Sequence, residues 1–213
     1  MSKIIAIMLL LCCGMMLFGC ADDNGRRKAE QQKTIVVTDS VGRKVELPYP
    51  LERVAVCNVY NAELITAVGA IDKIVGVDNY IFKDQSGFKN RFNEAQVFGI
   101  SQNAMNYEKL AELAPQAVII TGEGTWRDAQ EMLDRFGIKV IVINSYYTDQ
   151  FADNCRLIGR IFGREEQAEE LVNYFNDKLA YIQKQLQGVP RRSLYFEYRT
   201  LGKTAVPGDY FYK

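Results

Sequence analysis

From residue 34 onward, short apolar runs alternate with amphipathic ones. The stretch "TIVVTDSVGRKVELP" (34–48) sets β-branched residues on either side of a turn around residues 39–42, which predicts a β-hairpin. Pro48 and Pro50 then interrupt regular structure. Five short apolar runs follow, at 53–57, 73–77, 96–100, 116–121 and 138–144, and each predicts a strand. Between them, 62–70, 106–115 and 126–137 carry helical apolar spacing, and 82–92 carries a weaker version of it. Strands that are apolar along their whole length are buried on both faces. Their alternation with helices predicts a parallel sheet between two helix layers.

Residues 164–187, "REEQAEELVNYFNDKLAYIQKQLQ", place apolar side chains at 168, 171, 172, 175, 179, 182 and 186. That is one continuous helical face. At 1.5 Å per residue the helix would run about 36 Å, long for an element inside a small lobe and suited to a rod that braces two lobes. Gly188-Val189-Pro190 ends it, and "RRSLYFEYRT" (191–200) predicts a new strand. The fold class expected is α/β: a Rossmann-like parallel-sheet lobe with an N-terminal β-hairpin, a long connecting helix, and the start of a second α/β lobe. The boundaries expected are 34–147 for the first lobe, 148–190 for the helical connector and 191–213 for the start of the second.

The residues before the hairpin follow other rules. Lys3 is followed by an uncharged run from 4 to 18, shorter than the roughly 20 apolar residues of a membrane span. It fits the apolar region of a secretory signal, 1–19. The order Leu17-Phe18-Gly19-Cys20 resembles the bacterial lipobox, where cleavage before the cysteine is followed by lipidation of its thiol; Phe18 is bulkier than the residue usual there. An uncleaved anchor or simple secretion is the alternative. Residues 20–33 lack large apolar side chains and suit a solvated tether. A lipid on Cys20 would hold the protein on the outer face of the cytoplasmic membrane.

Composition narrows the chemistry. The chain is 48% apolar, enough for a real core, and its 26 basic residues balance its 26 acidic ones, so nucleic acid is a poor partner. It has no histidine, which excludes Ser-His-Asp and Cys-His catalysis, His-built zinc sites and His-ligated haem. No phosphate loop and no dinucleotide fingerprint occurs; "TGEGTW" (121–126) has the wrong spacing. Outside the signal and Cys20, only Cys57 and Cys155 remain, and two buried free thiols is the simpler reading of them.

In an open parallel sheet, ligands lie beyond the C-terminal ends of the strands. That rule selects Asn58, Tyr60 and Asn61 after the first strand, Tyr80 after the second, and Ser101, Gln102 and Asn103 after the third. It selects Glu123 and Trp126 after the fourth, and Tyr146 and Tyr147 after the fifth. Tyr198 and Arg199 would face them from the second lobe. Aromatic faces with a few polar groups suit a large, partly aromatic chelate, and Arg199 suits a carboxylate or catecholate oxygen. A direct Fe³⁺ site from Tyr60, Tyr80, Tyr146 and Glu123 is the competing idea, weakened by its dispersed spacing.

Taken together, "TDSVGRKVELP", "LERVAVCNVYNAELITAVGAIDKIVGVD", "NYEKLAELAPQAVIITGEG" and the long helix resemble the ABC-importer substrate-binding proteins of the iron–siderophore, haem and cobalamin cluster. The carrying motifs are Arg53-Val54, Glu63-Leu64, Gly69, Gly76-Val77 and Glu108 followed by Leu113-Ala114-Pro115. The resemblance implies two α/β lobes joined by one helix, with the ligand in the cleft between them. It implies capture of an iron complex or related chelate and delivery to a permease and its ATPase, with no catalysis and no resident cofactor. Most of a second lobe would lie beyond Lys213, so the chain is expected to be a fragment or a truncated form. Glu108, in the pattern N-[LY]-E-x-[IL]-x-x-L-x-P, is implied to dock the permease; a solvated first-turn carboxylate is the plainer alternative. The rival functions are a chelatase-like α/β enzyme, disfavoured by the missing histidines and phosphate loop, and a lone lobe that serves as an interaction module or has no transport role.

Overall fold

A computed structural model describes residues 33–84 and 86–190. The signal, Cys20 and the tether up to residue 32, the strand expected from 191, and Tyr198 and Arg199 lie outside the described residues.

The hairpin pairs β1 (Thr34–Thr38) with β2 (Lys44–Pro48), antiparallel, with Thr38 opposite Lys44. Its turn is built by Asp39, whose carboxylate accepts from the backbone N–H groups of Val41 and Arg43 and from the Arg43 guanidinium at 2.6 Å. Gly42, at φ 80°, supplies the left-handed residue that closes it.

Four strands form the main sheet: β3 (Val54–Val56), β4 (Ile74–Val77), β5 (Ala117–Ile120) and β6 (Lys139–Val142). Their order is β4-β3-β5-β6 and every pairing is parallel. Side chains alternate between two cores. Val54, Val56, Ile119 and Ile141 pack with α1 (Val59–Ala67), α5 (Phe151–Phe162) and the start of α6 (Glu165–Gln185). Ala55, Cys57, Val118, Ile120, Val140 and Val142 pack with α3 (Tyr107–Glu112) and α4 (Trp126–Asp134). The short α2 (Asn79–Lys83) follows β4. The sheet therefore lies between helix layers, as strands apolar on both faces require.

The expected strand at 96–100 is not one. Glu94–Gln96 forms a 3₁₀ turn with an Asn93 capping box, and beyond it only isolated bridges join Val77 to Val97 and Gly99 to Met105. Phe98 is nonetheless buried, so the apolar run reflects a segment covering the sheet edge and not a fifth ladder.

The long helix expected at 164–187 is α6. Ala168 and Val172 are buried and Phe175 stacks on Phe151 at 4.1 Å, whereas Leu179, Ile182 and Leu186 are exposed. Cys57 and Cys155 are buried free thiols, and burial pushes Cys155 up to about 12. No helix among the described residues is long and apolar enough to cross a membrane.

Candidate functional site

The strand order reverses at β3. From β3 the chain goes to β4 on one side and returns to β5 on the other, which opens a crevice beyond the carboxyl ends of these strands. A hollow of about 740 Å³ lies there, within the size range of small-molecule sites. It is lined by Asn58, Val59, Tyr60, Glu63, Asp78, Tyr80, Asp84, Ser86, Ser101, Gln102, Asn103, Thr121 and Glu123. A smaller recess of about 170 Å³, between the hairpin and β6, lies away from these strand ends.

Each wall has a local cause. Asn58 stands at φ 77°, uncommon for a non-glycine residue, and its carboxamide oxygen accepts from the Tyr60 N–H at 2.9 Å to cap α1. This sharp turn brings Tyr60 to the mouth, where it is 53% exposed. Asp78 is buried and ties two strand ends together: it accepts from the Asn58 N–H at 3.1 Å and from the Ile81 N–H at 3.0 Å. Burial raises its pKa, against the opposing pull of these backbone bonds. Tyr80, in α2, is 63% exposed.

The 101–103 loop is held to the end of β5 by Gln102. Its side-chain oxygen accepts from the Thr121 N–H at 2.9 Å and hydroxyl at 2.8 Å, while its amide nitrogen donates to the Glu123 carbonyl. The Glu123 carboxylate accepts from the Tyr146 hydroxyl at 3.0 Å, and the Tyr146 and Tyr147 rings lie 4.4 Å apart. Burial, then Tyr147 and Glu123, raises the Tyr146 pKa. Glu63 is raised by burial and by the charge of Asp84, whereas Asp84 is lowered by its bonds from Ser86.

The residues selected from sequence divide accordingly. Asn58, Tyr60, Tyr80, Ser101, Gln102, Asn103 and Glu123 come together around the hollow. Tyr146 and Tyr147 do not line it, and Tyr146 reaches it through Glu123. Asn61 is fully buried: its amide donates to the Cys57 carbonyl and its oxygen accepts from the Ser145 hydroxyl, so it holds α1 to the sheet. Trp126 does not line the hollow either. It is 9% exposed, in the core beneath α4, with the Arg43 and Arg127 guanidinium groups 4.3 and 4.2 Å from its ring. Glu63, Asp78, Asp84, Ser86 and Thr121 line the hollow and were not selected; Asp78 was within reach, since it directly follows the β4 run. The iron-site alternative finds Tyr146 already donating to Glu123, and no group of three Asp, Glu or Cys residues that could hold a metal occurs among the described residues. Glu108 is exposed in the first turn of α3, which Asn106 caps by accepting from the Lys109 N–H at 2.8 Å.

Comparisons with known proteins place this geometry. The family model described as "Periplasmic binding protein" matches residues 54–213. Among solved structures, a periplasmic solute-binding protein from Veillonella parvula is 28% identical, with TM-score 0.61 over 74% of this chain and 50% of that one. Staphylococcus aureus SirA, solved with staphyloferrin B, is 20% identical, with TM-score 0.60 over 72% of this chain and 51% of that one. The Haemophilus influenzae molybdate-binding protein MolA is 19% identical, with TM-score 0.61 over 73% and 55%. The chain thus spans about half the length of these proteins. No curated protein sequence matches it. Its parallel sheet, crevice and long helix agree with the family match: the chain belongs to the periplasmic binding protein family.

Proposed function

We propose that this chain is the substrate-binding lipoprotein of an ABC importer, and that it captures an iron complex, either a siderophore-type chelate or haem or cobalamin. The observation that carries the reading is the 740 Å³ hollow at the reversal of strand order, walled by Asn58, Tyr60, Tyr80, Ser101, Gln102, Asn103 and Glu123. Rigid aromatic faces beside fixed amide and hydroxyl groups suit a bulky chelate. Solved proteins of similar fold support the class: one was crystallised with staphyloferrin B, and another is described as a haem-binding protein.

The rest of the assignment follows from this reading. Residues 1–19 serve as the signal, Cys20 takes the lipid, and 20–33 tether the lobe of 34–147 to the outer face of the membrane. Residues 148–190 connect to a second lobe starting at 191, which contributes Tyr198 and Arg199 to ligand binding. Glu108, exposed beside the 101–103 loop, offers a charge to the permease, where a rim carboxylate sets orientation and association rate. The protein does no chemistry; transfer needs only affinity that differs between permease states.

Isothermal titration of the chain with ferric siderophores of hydroxamate and catecholate type, haem and cobalamin tests the reading. Saturable binding of one class is expected, weakened at least about tenfold by Tyr60→Ala with Tyr80→Ala. Absence of binding by every class overturns it.

A further inference from the structure

The hollow carries charge of one sign. Glu63, Asp84 and Glu123 line it, Asp78 lies buried beneath, and no lysine or arginine is among its lining residues. None of the four carboxylates belongs to an ion pair among the described residues; the acids so paired are Asp39, Glu52, Asp72, Asp153 and Glu169. Among the described residues no cation within ion-pair distance offsets this charge, and a concave wall of one sign concentrates its field on the space it encloses. Burial first and the charge of Asp84 second raise the Glu63 pKa, in keeping with two acids facing one space.

A second feature has the same preference. Tyr60 and Tyr80 leave their rings more than half exposed at the mouth. The face of an aromatic ring attracts cations, alkylammonium and guanidinium groups among them. The carboxylates are also too dispersed to chelate a bare metal ion. A charge spread over an organic ligand fits them, and a naked cation does not.

We propose that this wall selects its ligand by charge: the chelate it takes presents ammonium or N–H donor groups to Glu63, Asp84 and Glu123 and is neutral or cationic overall, while polyanionic chelates are repelled. The inference rests on the chelate-binding reading above and narrows it. A polyanion entering here meets like charge at close range, and such juxtaposition is what excludes wrong partners from charged sites. A cationic ligand meets carboxylates spread along the wall and two exposed rings at its mouth.

A matched pair of probes isolates the charge. The first is the ferric complex of a linear trihydroxamate ending in a free amine; the second is the same complex with that amine acetylated. A ferric tris-catecholate is the polyanionic probe. Titrated into the full chain, the amine form is expected to bind at least about tenfold more tightly than the acetylated form, and the tris-catecholate most weakly. Glu63→Gln with Asp84→Asn should bring the matched pair to equal affinity. Equal or tighter binding of the acetylated form or the tris-catecholate by the unaltered chain overturns the charge preference and leaves the chelate reading standing. No binding by any of the three, nor by haem or cobalamin, overturns both.

Discussion

Glu63 shows how a residue can line the crevice at the expense of the fold. Its carboxyl is held above the ordinary carboxylate range, by partial burial first and by the charge of Asp84 second. An acid raised in this way binds its proton more tightly in the native state than in the unfolded chain. Native stability is therefore fullest with the group protonated and declines as pH rises from about 4.5 through the raised pKa. Glu63→Gln removes the decline. A small rise in melting temperature is expected at pH 7, and none at about pH 3.5, where glutamate and glutamine are both neutral. A melting temperature lowered at pH 7 would mean that the charged form of Glu63 stabilises the fold. The same residue marks a limit of sequence reading. The strand-end rule takes the first few residues after each strand, and it took Asn58, Tyr60 and Glu123, but Glu63 sits farther along α1. Asn61 and Trp126 differ in the opposite sense: they stand in the first turns of α1 and α4, close after the strand ends, yet Asn61 turns inward to the Cys57 carbonyl and Trp126 into the core. Spacing along a strand end gives position, and the inward or outward turn depends on partners brought from elsewhere in the chain.

At the scale of elements, three of the motifs that carried the family resemblance, at Arg53, Gly76 and Leu113-Ala114, meet in one packing knot. The Arg53 guanidinium donates to the carbonyl groups of Leu113 and Ala114, at 2.5 and 3.1 Å, where Ala114 takes φ 46° to turn α3 into β5. A Cβ on Gly76 would lie 2.7 Å from Leu113 Cδ1 and 3.1 Å from Phe98 Cδ1, so glycine lets both side chains lie against β4. These residues were legible because local steric demands fix them. The stretch at 96–100 was misread because an apolar run reports burial and not hydrogen bonding: Phe98 is buried, but Val97 and Gly99 make single bridges. The contact between α5 and α6 has its own steric demand at Gly159. An added Cβ would stand 2.5 Å from Ala168 Cβ and 2.9 Å from the Arg164 carbonyl oxygen. Neither neighbour is the end of a flexible side chain, so the helices must part. Gly159→Ala gains about 1 kcal/mol of helix propensity but forces overpacking, which costs about 1–3 kcal/mol. A net loss is expected because backbone must move, read as a lower denaturant midpoint with unchanged slope. A higher midpoint would show that α6 yields freely.

Across the whole described structure, stability and reach separate along α6. Its 21 residues run about 32 Å, yet only its first half belongs to the core: Ala168 and Val172 are buried, and Phe175 stacks on Phe151. Farther along, Leu179, Ile182 and Leu186 are 44, 51 and 58% exposed although they continue the same apolar stripe. The sequence showed the stripe as one face; it could not show where the core stops, because periodicity is a property of the helix and burial is a property of what lies against it. The two halves should respond differently to substitution. Val172→Ala removes buried methyl groups and is expected to cost about 1–3 kcal/mol in urea unfolding of the chain. Leu179→Gln with Ile182→Gln alters exposed positions and should shift stability by less than about 0.5 kcal/mol. A cost at the exposed pair comparable to that at Val172 would mean that the cooperative unit extends along the whole rod. The small shift expected means instead that the cooperative core ends within the first half of α6, leaving the far half of the helix to carry apolar surface outward.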